Sequence, residues 1–212
     1  GADVILSDTT DTLAEGKHAL RRKMIARRRG LSRQERSEAD AVIRMRAMRL
    51  SALQGSRIVM LYASTAEEID LFPLMEALLA NGHRIALPEI TGKGVMEARA
   101  FSSMDGLIEG AFGILTPAPE CSAQIQPGEI DLVIVPGTAF SPDGRRLGLG
   151  GGYYDRYLPR AKGAFRLALA YDIQVISEIP TGAHDARVDC ILTERRTICC
   201  RDTMMNNLEE EV

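Results

Sequence analysis

From Leu132 to Arg160 the chain reads LVIVPGTAFSPDGRRLGLGGGYYDRYLPR. An apolar run enters a glycine-dense loop, and two tyrosines, an aspartate and an arginine leave it. The stretch holds six of the chain's nineteen glycines, three of them consecutive at Gly150, Gly151 and Gly152. Glycine loses more backbone freedom on folding than any other residue, so such density is poor core material. Its use is to adopt positive φ and to let main-chain N–H groups approach a ligand. A strand that feeds a glycine loop, which in turn feeds a helix, is the usual cradle for a phosphate.

The surrounding pattern sets the fold class. Residues 12–29 predict a helix closed by Gly30, and Ser32-Arg33-Gln34-Glu35 is a capping box opening a second helix to about Leu53. Strands are expected at 57–62, 84–87 (stopped by Pro88), 95–101, 131–135, 166–170 and 188–192. Asp70 caps a helix through Ala80, 103–109 suggests a helical turn, and a further helix spans 153–160. Alternation of this kind predicts a single α/β domain. A mostly parallel sheet is flanked by helices on both faces, with an N-terminal helical pair. The domain is expected over 12–200, with flexible ends at 1–11 and 203–212. Ligands of such sheets bind outside the carboxyl ends of the strands, where the glycine loop lies.

Composition excludes some functions. The net charge of −3 is too mild to mark a nucleic-acid or membrane surface. Charge is nevertheless uneven. Residues 17–57 hold 13 Lys or Arg against three acids, and the remainder holds 13 against 26. Solvated helix faces explain this better than an RNA surface, since no aromatic side chain sits among the arginines. Cys121, Cys190, Cys199 and Cys200 form no C-x-x-C and no zinc spacing, and read as reduced thiols. No apolar run approaches a membrane span, and the acidic Asp3, Asp8 and Asp11 do not resemble a secretory signal, so a cytoplasmic location is expected.

Several constellations carry chemistry. Gly148-x-Gly150-x-Gly152 is neither the G-x-G-x-x-G fingerprint nor a Walker loop, which needs a lysine. Loop length, the adjacent Arg145-Arg146 and Asp155 favour phosphate binding over close packing. Asp155 either offsets a helix dipole or holds magnesium beside phosphates, with Asp189 as the candidate second carboxylate. Lys17 and Arg21, four residues apart, share a helix face and repel unless an anion lies between them. Glu68 is free for a ligand at a strand's carboxyl end. Of Tyr153 and Tyr154, one ring can stack on a flat heterocycle while the other packs inside. His184-Asp185 is a tempting pair, but no G-x-S-x-G nucleophile accompanies it.

These residues resemble a known family. DLVIVPGTAFSPDGRRLGLGGGYYDRYL is similar to the signature of the 5-formyltetrahydrofolate cyclo-ligase (5,10-methenyltetrahydrofolate synthetase) family. Further matches follow in order: Lys17-x-x-x-Arg21, Tyr62 to Glu68-Ile69-Asp70, Leu87-Pro88, Gln174, Pro180, His184-Asp185, Val188-Asp189 and Thr193-Glu194. The resemblance covers roughly residues 15–196. It implies a cytoplasmic, monomeric ligase that uses ATP and magnesium to cyclise 5-formyltetrahydrofolate, with or without a polyglutamate tail, to 5,10-methenyltetrahydrofolate, with ADP and phosphate released. It implies Lys17, Arg21, Arg146, Leu147, Gly148, Leu149, Gly150, Gly151 and Gly152 at ATP, with Lys17, Arg146 and Tyr153 as the catalytic groups. Glu68, Gly150, Gly151, Gly152 and Tyr153 would contact the folate, and Asp155 and Asp189 the metal. Leu149 and Gly151 stand where some family members carry a basic residue. Phosphate contacts there fall either to Arg145 or to main-chain amides. The competing function is a non-catalytic paralogue that binds a phosphorylated metabolite as a regulator.

Overall fold

The computed structural model describes residues 2–200, with side chains from residue 12 onward; the expected flexible end at 203–212 lies outside the described residues. Helix α1 spans Ala2–Arg29 and so starts ten residues before the expected 12, within the segment 1–11 read as an end. Gly30 follows it, and Ser32 opens α2 (Arg33–Arg49) with both halves of the capping box in place. Extended backbone at Leu50 (ψ 122°) ends α2 and separates off a short α3 (Ser51–Gln54) before the expected stop at Leu53.

Strand β1 (Ile58–Met60) leads through α4 (Phe72–Ala80) to β2 (Arg84–Gly92) and β3 (Val95–Phe101). Then come a small hairpin of β4 (Leu107–Glu109) and β5 (Leu115–Pro117), and β6 (Ser122–Ile125). Strand β7 (Leu132–Ile134) precedes a second hairpin, β8 (Ala139–Phe140) and β9 (Arg146–Leu147). Helix α5 (Tyr153–Tyr157), β10 (Phe165–Leu169), β11 (Cys190–Leu192) and β12 (Thr197–Cys199) complete the order.

Eight strands form one sheet in the order β12-β11-β10-β7-β1-β2-β3-β6. The five from β11 to β2 are mutually parallel; β12, β3 and β6 join antiparallel. From β1 the chain first builds outward through β2, then returns to β1's other side with β7. The switch point therefore lies between β1 and β7, where ligands of open parallel sheets bind.

Pro88 does not stop β2, which continues to Gly92. Pairing with β1 ends at Ala86, so from Leu87 onward that edge of β2 needs no N–H, and β3 alone holds it. A proline is tolerated where no ladder bond is asked of it.

Alternation along the parallel strands splits the core. Val59, Leu61, Leu132, Ile134, Leu167 and Leu169 face α2, α3 and α4. Met60, Val133, Ala168 and Ile191 face α5 with Tyr154, Tyr157 and Leu158. Both faces are thus covered, as a parallel sheet requires. A third cluster seats α1: Leu20 and Met24 pack on Ala139, Leu147 and Ile179. The first helix therefore rests on the β8–β9 hairpin rather than on the sheet.

That hairpin is one place where glycine is compulsory. Gly144 turns between β8 and β9 at φ +91°, and a Cβ there would collide with the Val188 carbonyl oxygen. Gly144→Ala should cost about 3 kcal/mol from left-handed strain and overpacking together. Urea unfolding checks this; a loss below 1 kcal/mol would mean that the turn relaxes freely.

Candidate functional site

Arg146 anchors the site. It sits on β9 rather than in a free loop, and its side chain is only 3% exposed. Its guanidinium donates to the Pro136 carbonyl (2.9 Å) just past β7, and to Asp155 Oδ1 (2.9 Å) in the first turn of α5. Asp155 Oδ1 also accepts the Ala186 N–H at 2.9 Å. The Tyr154 ring lies beneath, its centroid 5.8 Å from Cζ. One cation thus ties the end of β7, the start of α5 and the segment before β11. A buried guanidinium needs such partners, because desolvation costs several kcal/mol per ion. Among the described residues its Nε has no acceptor, and the buried Tyr154 hydroxyl also lacks a partner. Burial pushes the Tyr154 phenol well above its usual range.

Helix α1 supplies two more cations. Leu20 and Met24 face the hairpin, so Lys17 and Arg21, one turn earlier on the same side, reach the loop beyond β9. Lys17 Nζ meets Asp185 Oδ2 at 2.5 Å, and Gly182 N donates to the same oxygen at 2.8 Å. Burial raises the Asp185 carboxyl, but the Lys17 bond, the Gly182 amide and the charges of Lys17 and Arg146 outweigh it, holding the group below the usual carboxylate range. Arg21 Nε donates to the Gly148 carbonyl at 2.8 Å, and its terminal nitrogens have no partner among the described residues. Asp185 of the His184-Asp185 pair thus balances Lys17, while Arg21 meets no carboxylate among the described residues.

The loop itself offers amides. Among the described residues, no acceptor takes the main-chain N–H of Leu149, Gly150, Gly151 or Gly152. Gly150 (φ +112°) and Gly152 (φ +71°) are left-handed, which turns successive N–H groups the way a nest does. Helix α5 behind them has only five residues, so the amides matter more than any dipole. Arg145 does not serve the loop: it pairs with Asp143 at 3.1 Å in the hairpin turn and does not line the cavity. These amides are hydrogen-bond donors that the loop itself leaves unengaged among the described residues.

All of this lines one cavity of about 560 Å³. Lys17, Arg21, Arg146 and Gly148–Gly152 form one side. The other side is largely apolar: Tyr62, Pro88, Ile90, Met96, Ile114 and Leu115. Glu68 stands between, its Oε1 accepting the Thr65 N–H at 2.9 Å. Tyr153 and Tyr154 both line the cavity, Tyr153 partly exposed and Tyr154 buried. A Cβ at Gly151 would stand 2.7 Å from the Tyr153 ring, so this glycine makes room for that ring. The apolar wall from β2, β3 and the β4–β5 hairpin was not foreseen. Its residues are ordinary aliphatics with no spacing signal, and only the sheet brings them to the site.

Of the expected metal pair, only Asp155 faces the cavity, with Oδ2 unengaged among the described residues. Asp189 is not brought to the cavity. It precedes β11 at the N-terminal end of the parallel strands, where its carboxylate accepts the Arg166 N–H at 2.9 Å. Asp131 plays the same part for Arg57 and Ile58. Both aspartates tie neighbouring strands at the end opposite the cavity. No three His, Cys, Asp or Glu side chains converge as a metal site among the described residues. One carboxylate oxygen in a cavity built for anions still fits magnesium that arrives with a phosphate, since that ion takes one or two carboxylates and fills its shell with water and phosphate oxygens.

The Lys17–Asp185 pair has a pH signature. A folded-state carboxyl pKa below the unfolded value stabilises the fold above about pH 4, and this is lost as the pH falls through the lowered value. Asp185→Asn should lower stability by about 1–3 kcal/mol at pH 7. The difference from the parent should shrink below pH 4. A gap that stayed constant into acid would show that the charge contributes nothing.

The chain's similarities agree with this geometry. The sequence model of the 5-formyltetrahydrofolate cyclo-ligase family matches residues 13–194. A probable 5-formyltetrahydrofolate cyclo-ligase of Caenorhabditis elegans is 29% identical over 198 residues, 88% of this chain and 96% of its own. The 5-formyltetrahydrofolate cyclo-ligase of Mycolicibacterium smegmatis is 32% identical over 155 residues, 70% and 80% respectively. The solved 5,10-methenyltetrahydrofolate synthetase of Aquifex aeolicus superimposes with a TM-score of 0.80 at 35% identity, covering 88% of this chain and 93% of that one. With a helix-borne cation pair, a buried arginine and a strip of unpaired amides around one cavity, and with the family pattern running through all of them, the chain belongs to the 5-formyltetrahydrofolate cyclo-ligase family.

Proposed function

We propose that this protein cyclises 5-formyltetrahydrofolate to 5,10-methenyltetrahydrofolate at the expense of ATP, acting as a monomer. The observation that carries the reading is the cavity's two-sidedness. Cations and unpaired amides on one side suit a triphosphate, and the apolar, aromatic side suits a reduced pterin, with no barrier between them. A transfer between two ligands needs that adjacency.

The formyl oxygen attacks the γ-phosphorus, and ADP leaves with the bridging oxygen. N10 then attacks the same carbon. The N10 proton and the phosphorylated oxygen depart, the latter as inorganic phosphate. The protein need supply no covalent nucleophile, which suits the missing triad. Holding the reacting groups together can contribute roughly 7–11 kcal/mol to lowering the barrier. Lys17 and Arg21 hold the phosphate chain, and the amides of Leu147 to Gly152 receive its oxygens. Arg146, which lines the cavity although buried and paired, offsets charge as it develops on the transferred group. Glu68 accepts N–H groups of the pterin, and Tyr153 stacks on it. Magnesium bound with ATP would be held by Asp155 and would neutralise phosphate charge.

The test is the near-ultraviolet absorbance of the methenyl product, with purified protein, ATP, magnesium and 5-formyltetrahydrofolate. Absorbance that grows only when every component is present supports the reading. Its absence at high enzyme concentration, with the fold intact, favours a regulator that binds a phosphorylated metabolite. Asp155→Asn keeps both hydrogen bonds to Oδ1 but leaves the buried Arg146 charge uncompensated, so it should fold with about 1–3 kcal/mol less stability and turn over about 100-fold more slowly. Asp189→Asn should instead lose about 1–2 kcal/mol of stability and keep its kcat and magnesium dependence. An Asp189 variant that shifted the magnesium requirement would restore it to the metal site.

A further inference from the structure

The β4–β5 hairpin ends in a turn that its sequence does not suit. Gly110 N donates to the Ile114 carbonyl at 2.8 Å, and Ile114 N to the Ala111 carbonyl at 3.2 Å. The two central residues, Phe112 (φ 59°) and Gly113 (φ 70°), are both left-handed. That is the tight hairpin turn for which Asn-Gly is the favoured pair. A bulky side chain at its first position is an outlier, since Cβ crowds the following carbonyl. Phe112 is the only non-glycine with positive φ among the described residues.

Its ring is also 93% exposed. A phenyl group in water forgoes the burial that normally justifies it. Two unfavourable choices at one residue call for a use outside the free fold. The position says which. Ala111 and Ile114, on either side of the turn, both line the cavity. Four of the chain's exposed large aliphatics, Ile90, Ile114, Leu115 and Leu149, line the same cavity and give its mouth an apolar rim.

We propose that Phe112 is a substrate-binding residue, carried by the hairpin tip to the cavity mouth, where its ring stacks on the flat, reduced pterin of the folate. This rests on the cyclo-ligase reading. Glycines at 110 and 113 let the tip move, and bound heterocycle gives the ring the cover it lacks. The nucleotide, held from α1 and the β9 loop, does not touch it. Phe112 therefore discriminates between the two ligands.

Phe112→Asn supplies the residue the turn prefers and removes the ring. Its melting temperature should match or exceed the parent's. Its Kd for 5-formyltetrahydrofolate, by calorimetry, and the corresponding KM should rise about tenfold, the scale of one ring-on-base stack. The KM for ATP should stay within about twofold, and Phe112→Trp should restore folate affinity. Unchanged folate affinity in the Asn variant overturns the proposal, as does a loss of stability with both ligands weakened alike. The parent protein separates the two readings. If it binds folate but forms no methenyl product, the cyclo-ligase reading fails while the Kd comparison still decides Phe112. If it binds no pterin, both fail.

Discussion

A guanidinium withdrawn from water must be held on several sides, and the organisation around Arg146 follows from that. Its partners come from three separate segments: the carbonyl of Pro136, the carboxylate of Asp155, and through it the amide of Ala186. The glycines beside it are spatial necessities. A Cβ at Gly148 would stand 3.0 Å from Nη1, and one at Gly137 3.2 Å from the Arg146 Cγ and 2.6 Å from the Phe140 ring. The glycine-dense motif therefore does two jobs. Gly137, Gly144 and Gly148 let an arginine and its hairpin be buried, while Leu149 to Gly152 present amides.

With the arginine fixed, the rest of the site is placed by packing. The hairpin that carries Arg146 offers Ala139 and Leu147 to Leu20 and Met24, and this contact orients α1. Helical spacing then delivers Lys17 and Arg21 to the loop without further instruction. The switch point between β1 and β7 opens the space in which they meet Glu68 and the apolar wall. The site is thus assembled by one ion pair, one small apolar cluster and the order of the strands.

How much of this the sequence disclosed depends on whether the signal was local. The capping box of α2, strand β3 and the apolar run of β7 could be read because neighbouring residues determine them. The glycine loop and the Lys17–Arg21 spacing stand out in the sequence, and the fold brings both to one cavity. Asp189 could not be placed so, because an aspartate beside a strand looks the same at either end of it. Only the parallel register shows that it ties Arg166 at the end away from the cavity. Pro88 misled for a related reason, since its tolerance depends on where the neighbouring β1 stops. Phe112 gave no signal at all. An aromatic residue before a glycine reads as core, and only the turn's φ values and the ring's exposure set it apart.

The N-terminal excess of positive charge also finds its place in the fold. Arg29 pairs with Glu67 at 2.6 Å, Arg44 donates to the Asp70 carbonyl at 3.0 Å, and Arg36 reaches the Ala66 carbonyl; all three partners lie in the segment linking β1 to α4. Arg46 bonds Thr193 and Thr197 near the far edge of the sheet. These arginines act as struts from helix to loop, each pair worth little at an exposed position but together holding the segment that carries Glu68. Of the cavity's cations two, Lys17 and Arg146, are already balanced by Asp185 and Asp155. An arriving anion then meets groups fixed in advance, and little is spent on ordering them.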